Sequence, residues 1–289
     1  MGIQSLSKYF RQISKAPVSD IALESKFFWR HGYVVVRNAF TTEEMSIAKE
    51  AIITNQAMNA SVERIRQKTS DGKHPAFETI YVWNDTSGDD LFAKLTRNQQ
   101  IFNRIGHFFD DKPYVYHNKI ALKYAGIPGF LYHQDYFYWY GMGCLYPDMA
   151  TVSIAIDPST RQNGCFRVID GSHKMGRVDH FFHTERGDTG VDEDRLEVIK
   201  SRCEEVFIEL EVGDFVIFHC NTLHGSDDNS SDKSRIALLG CYNTKHNDPY
   251  AATFAGYPFY QEQTPMTARV TRADLTRMPN FDLKVTERS

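Results

Sequence analysis

The run Tyr132-His133-Gln134-Asp135 sets an imidazole and a carboxylate two residues apart, and Leu223-His224-Gly225-Ser226 supplies a second imidazole 89 residues beyond Asp135. On a strand, residues two apart share a face, so His133 and Asp135 can converge on one ion. Two neutral imidazoles and one carboxylate on a single face leave up to about three positions open on an octahedral metal, as in non-haem iron(II) oxygenases. The same donors also serve hydrolytic zinc sites, and a His-x-Asp pair alone recurs by chance, so donor type leaves both metals open. Two further features favour iron. Gly213-Asp214 reads as a turn feeding a strand, Phe215–His219, that delivers His224. Arg235 then opens the next β run, where a guanidinium can grip a carboxylate with two parallel hydrogen bonds. A dicarboxylate cosubstrate needs such a group, and a zinc hydrolase does not.

The elements that must position these residues change character along the chain. The first third reads as helical. Asp20 caps a segment through Trp29 that Gly32 stops, and Tyr33–Val36 makes a short strand. Thr41 to Glu44 has capping-box form and opens a helix through about Met58, and Leu91–Phe109 has the period of one long helix. After Pro113 come short β runs: Tyr114–Lys123, Thr151–Ile156, Cys165–Ile169, Val206–Leu210, Phe215–His219 and Ile236–Tyr242. Helices first and strands later predict a mainly β fold with a helical buttress around a double-stranded β-helix, a jelly-roll or cupin-like core. No linker divides residues 1–289, so one domain is expected: a helical third over 1–112, the core over 113–243 and an extension over 244–289. The charged stretch Arg186–Glu205 interrupts the strands and reads as a solvated insertion, or a flap over a site.

Composition bounds the partners. A net charge of -4 gives no support for nucleic acid, and no apolar run approaches the roughly 20 residues that cross a bilayer. The N-terminal residues lack the apolar stretch of a secretory signal. Five cysteines without a Cys-x-x-Cys pair argue against a disulfide framework or a structural zinc. A cytoplasmic protein acting on a small molecule, as a monomer or homodimer, is expected.

Three pieces together resemble a known family: His133-Gln134-Asp135; Asn163-Gly164-Cys165-Phe166-Arg167-Val168-Ile169-Asp170-Gly171-Ser172-His173-Lys174; and Gly213-Asp214 through His224-Gly225-Ser226 to Arg235. In this order and spacing, with the strand at Tyr33 and its Thr-capped helix, they look like the phytanoyl-CoA dioxygenase family of Fe(II)/2-oxoglutarate oxygenases. The resemblance covers roughly residues 27 to 243. It implies that His133, Asp135 and His224 hold catalytic iron, that Arg235 and Ser226 bind 2-oxoglutarate, and that O2 is consumed with release of succinate and CO2. Lys123 matches a strand lysine that approaches 2-oxoglutarate in the ectoine hydroxylase branch. Asp170 departs from the family's usual proline, and His173 beside it reads as a turn residue rather than a ligand. Related halogenases lack the carboxylate, so the presence of Asp135 points to hydroxylation.

Aromatic residues Tyr132, Tyr136, Phe137, Tyr138, Trp139 and Tyr140 surround the pair, and read as strand residues half of them face the core. Trp139 stands six residues after His133, the spacing of a tryptophan in ectoine hydroxylases, and His117 aligns near a substrate-contacting position of that branch. Trp139, His117 and Tyr136 are therefore the expected substrate contacts. The preferred substrate is a small polar or zwitterionic metabolite, whose amine an aromatic wall would hold by cation–π contacts of about 1 kcal/mol each. The alternatives are an acyl-CoA or secondary-metabolite oxygenase of the same family, or a non-catalytic metal-binding member. Coenzyme A would call for a cationic patch, and Arg64, Arg66 and Lys68 are the compact cluster available in the N-terminal third.

Overall fold

The N-terminal helices start where the sequence places their caps. In the computed structural model, which describes residues 20–55, 78–82, 88–184, 188–250 and 259–277, Asp20 accepts from the N–H groups of Ala22 and Leu23 to open α1 (Ile21–His31). Gly32 closes α1 at φ 86°, and a Cβ there would lie 2.5 Å from His173 Nδ1. After β1 (Tyr33–Val36), Thr41 and Glu44 form a reciprocal capping box on α2 (Thr42–Thr54). Met58, where the sequence extended this helix, and the Arg64, Arg66 and Lys68 cluster lie outside the described residues.

The long helix expected over Leu91–Phe109 is two helices, α3 (Leu91–Thr96) and α4 (Gln99–Phe109). Asn98 caps α4, and the break is used by the C-terminal segment. Gln99 N–H donates to Met266 O at 3.0 Å, and Met266 N–H donates to Arg97 O at 2.7 Å. Periodicity cannot register such an exchange, because its partner lies far along the chain. The same segment is tied to the helices by Arg269–Glu44 and Lys94–Asp274 ion pairs, and His246 sits between Asp111 (2.6 Å) and Asp148 (2.8 Å).

The remaining strands are β2 (Glu78–Val82), β3 (Pro113–Lys123), β4 (Ala150–Ala155), β5 (Phe166–Ile169), β6 (His180–His183), β7 (Asp188–Val191), β8 (Glu205–Ile208), β9 (Phe215–His219), β10 (His224–Ser226) and β11 (Arg235–Thr244). Six form one sheet in the order β1-β9-β4-β11-β3-β2, and three form a second, β10-β5-β8. All named pairings in both sheets are antiparallel. This is the expected jelly roll with its helical buttress.

Paired residues on antiparallel strands point to the same side, so the register alone defines an inner face. Along it run Lys123 with Arg235, then Ala121 with Ala237 and Ala155. Next come Lys119 with Leu239 and Ser153, and finally His117 with Cys241, Thr151 and Phe218. The alternate residues, including Ile120, Leu122, Leu238, Ile236, Ile154 and Phe215, form the other face and belong to the core beneath α1 and α4. The inner face sets its polar groups among apolar Ala121, Ala155, Ala237, Leu239 and Phe218, which belong to the same core.

The charged stretch from residue 186 is not a plain loop. Its described part comprises β7, paired with β6, and α6 (Glu193–Lys200), which Asp192 caps and Ile199 anchors. Val191 N–H donates to Tyr132 O at 2.8 Å, so this excursion is fastened beside His133. The aromatic run after Asp135 also differs from the expectation. It is a helix, α5 (Asp135–Gly141), rather than alternating strand residues. The chain leaves strand pairing at the His133–His224 bridge, and Met142 N–H then donates to Tyr138 O at 3.0 Å. No helix among the described residues is long and apolar enough to cross a membrane.

Candidate metal centre

His133 and His224 face each other because their backbones form a two-way bridge, with His133 N–H to His224 O at 2.9 Å and His224 N–H to His133 O at 3.0 Å. Asp135 follows as the first residue of α5, so the turn into the helix brings its carboxylate under both rings. Asp135 Oδ1 lies 3.8 Å from His133 Nε2 and 3.9 Å from His224 Nε2. All three ligand atoms fall within 4.8 Å of one another, the one such group of three found among the described residues.

Neighbours prepare each donor. His133 Nδ1 bonds to Leu131 O at 2.8 Å and His224 Nδ1 to Thr222 O at 2.9 Å, which turns both Nε2 atoms toward the shared centre. Thr151 Oγ1 donates to Asp135 Oδ2 at 2.5 Å, leaving Oδ1 to the histidines. Burial, and for His133 also the neighbouring His224, lowers both imidazoles, so they are neutral at pH 7. Burial alone would raise Asp135, but His224, Lys119, His133 and the Thr151 hydroxyl outweigh it and hold the carboxyl at about 2. Neutral imidazoles beside an ionised carboxylate are the protonation states a divalent metal requires.

At the other end of the inner face, Arg235 is 2% exposed and lies 5.4 Å over the Phe166 ring. Its Nε and Nη1 are buried without a hydrogen-bond partner. Burial lowers this guanidinium to about 10, which leaves it cationic at neutral pH. Buried donors without acceptors cost free energy, and a carboxylate ligand on one edge of the guanidinium would supply an acceptor. Lys123 on the same rung is differently placed. Its ammonium donates to Ser226 Oγ at 3.0 Å, to Gly164 O at 3.4 Å and to Asp227 O, so its protons are occupied within the protein. Burial and the nearby Arg235 lower it to about 7. Ser226 Oγ also accepts from Phe130 N–H at 3.1 Å. The donor set and the guanidinium, which flank the Phe166 ring, fit iron and a dicarboxylate cosubstrate.

The expected substrate contacts gather near the metal end. Trp139 meets His117 edge-on at 6.0 Å and Tyr116 at 6.3 Å. Tyr136 donates its hydroxyl to Leu145 O at 2.6 Å, which commits that group to backbone. Tyr136 and Trp139 belong to a buried cluster with Tyr114, Tyr116, Cys144, Cys220 and Cys241. Burial lowers His117 to about 3, so its ring is neutral. His173 stands apart in a 3-10 turn (Ser172–Met175) and bonds to Trp29 O, as expected for a turn residue. Asp170, the departure from proline, pairs with His31 at 2.7 Å.

Thr151, Gln134 and His180 were not singled out from sequence as site residues, and Lys119 is legible there as sharing a strand face with His117. Thr151 carries a signal only in hindsight, through its register with Cys241. Lys119 adds positive potential at Asp135, His133 and His224 alike.

Residues 28–237 match the family profile described as Phytanoyl-CoA dioxygenase (PhyH). An ectoine dioxygenase of Streptomyces anulatus is 25% identical over 257 residues, covering 82% of this chain and 84% of its own. A phytanoyl-CoA dioxygenase of Arabidopsis thaliana is 28% identical over 249 residues, covering 73% and 84%. The crystal structure of EctD from S. alaskensis with 2-oxoglutarate and 5-hydroxyectoine superposes with a TM-score of 0.64 at 21% identity, covering 87% of this chain and 89% of that one.

Proposed function

The chain belongs to the phytanoyl-CoA dioxygenase family of Fe(II)/2-oxoglutarate-dependent dioxygenases, and from that premise we propose that it hydroxylates an unactivated C–H bond of a small polar or zwitterionic metabolite. The observation that carries this reading is the convergence of His133 Nε2, His224 Nε2 and Asp135 Oδ1 on one point of the inner face that ends at Arg235. Bound there, iron with 2-oxoglutarate supplies the power to activate O2 and oxidise C–H, releasing succinate and CO2.

The chain's own residues do the rest. His133, Asp135 and His224 hold the ion from one side. Arg235 offers its buried guanidinium to the distal carboxylate of 2-oxoglutarate, while Lys123 and Ser226 are hydrogen-bonded to each other beside it. Trp139 and His117 wall the metal end. Neutral His117 does not repel an ammonium, and the Trp139 face suits a cationic nitrogen. Relatives named ectoine dioxygenase support this substrate class.

An anaerobic titration of metal-free protein with Fe(II) and 2-oxoglutarate tests the reading. A metal-to-ligand charge-transfer band that His224→Ala loses is expected, followed by succinate release stimulated by amino-acid-like metabolites and not by acyl-CoA. Folded protein that gives no band refutes the assignment of the centre. Stimulation by acyl-CoA alone refutes the substrate class.

A further inference from the structure

Gln134 stands between two of the proposed ligands, is 0% exposed, and has no place in the ligand set. Its carboxamide nevertheless makes three hydrogen bonds, each to backbone of a different residue. Nε2 donates to Asn221 O at 2.7 Å and to Gly176 O at 2.8 Å, and Oε1 accepts from Val178 N–H at 2.8 Å. Its own N–H donates to His180 Nε2 at 2.8 Å. His180 Nδ1 is fixed by Val178 O at 2.9 Å, and its ring stacks on Phe137 at 4.4 Å and 17°.

These contacts connect the two halves of the centre. Asn221 lies three residues before His224, so the Asn221 bond joins the segment bearing His133 and Asp135 to the turn bearing His224. The other bonds brace both against residues 176–178 and against β6. We propose that Gln134 is a positioning residue that sets the spacing of the three metal ligands, and that His180 locks it from the β6–β7 hairpin. This rests on the reading of His133, Asp135 and His224 as the metal site. The competing explanation is that the His133–His224 backbone bridge fixes the spacing alone and Gln134 is a satisfied buried amide.

Co(II) binding to the metal-free full chain separates the two, measured by chelator competition and by the visible d–d spectrum, with urea unfolding as a control. Gln134→Met keeps the volume and removes all three carboxamide bonds. It is expected to weaken Co(II) about 10- to 100-fold, as losses of outer-shell partners do, and to alter the d–d bands. His180→Phe keeps the ring stack but removes the acceptor. It is expected to weaken Co(II) about tenfold, and His180→Gln, which can place an oxygen near the position of Nε2, to recover most of that. These His180 variants decide the matter if Gln134→Met does not fold. Unchanged Co(II) affinity and spectrum in folded Gln134→Met, or in His180→Phe when Gln134→Met does not fold, overturn the proposal and leave the metal site standing. Wild-type protein that binds no Co(II) overturns both.

Discussion

Replacing Arg235 by Met should separate function from stability. The guanidinium has two buried donors with no partner, and its near cationic neighbour is Lys123 rather than a carboxylate. A hydrogen bond to a charged group contributes about 1.5–3 kcal/mol, so losing a two-bond grip should weaken 2-oxoglutarate by about 3–6 kcal/mol, or roughly 10²- to 10⁴-fold. The Phe166 ring lies between Arg235 and His224, so Fe(II) affinity without 2-oxoglutarate should hold within about twofold. In metal-free protein the same change removes a buried, uncompensated charge and keeps an apolar stem against Phe166. The variant should therefore unfold at higher urea, by about 1–2 kcal/mol. Anaerobic titration of the charge-transfer band gives the first quantity and urea unfolding the second. An unchanged 2-oxoglutarate affinity refutes the cosubstrate role. Lower apo stability refutes the claim that the charge is uncompensated until a ligand arrives.

Thr151→Val removes the hydroxyl that orients Asp135, and Fe(II) affinity should fall about 10-fold or more while the fold persists; an unchanged constant would show that the carboxylate needs no such support. Lys123 titrates at about 7, facing Arg235, Asp227 and Asp228. Its protonated form favours a dianion, so 2-oxoglutarate affinity should be greatest below pH 7 and decline as pH rises above it. In Lys123→Met that slope should vanish, and a slope that persists assigns it to another group. His246 is raised above 6.5 because Asp111 and Asp148 outweigh its partial burial. A raised folded pKa stabilises fully below the unfolded value and is lost as pH rises through the folded one. The stability gap between wild type and His246→Ala should accordingly be widest near pH 6 and shrink toward pH 8, as urea midpoints at the two values would report.

What the sequence made legible was local or came as a set. Asp20, Gly32 and the Thr41–Glu44 pair marked helix ends because a cap is chemistry between residues two to four apart. The candidate metal set His133, Asp135 and His224, with Arg235, was readable as a combination of types and order, and the fold brings the three donors together. The failures share a cause in distance along the chain. Nothing near Arg97 shows that Met266 will pair with it and split a helix. Nothing near Asp135 shows that Thr151 will bond its second oxygen, or that Gln134 will reach Asn221. The aromatic run of α5 has weak intrinsic helix preference, and packing decided its form.

The two ligand histidines owe their orientation to the carbonyls of Leu131 and Thr222. Backbone, not the ion, aims them. A socket shaped by the chain accepts whichever divalent ion of suitable size is abundant, and intrinsic affinity for nitrogen and oxygen donors favours copper, nickel and zinc over iron. The occupant is then decided by supply. Protein made in a zinc-rich medium would carry zinc in a correctly formed site and be inert, and its metal content would report the culture rather than the sequence.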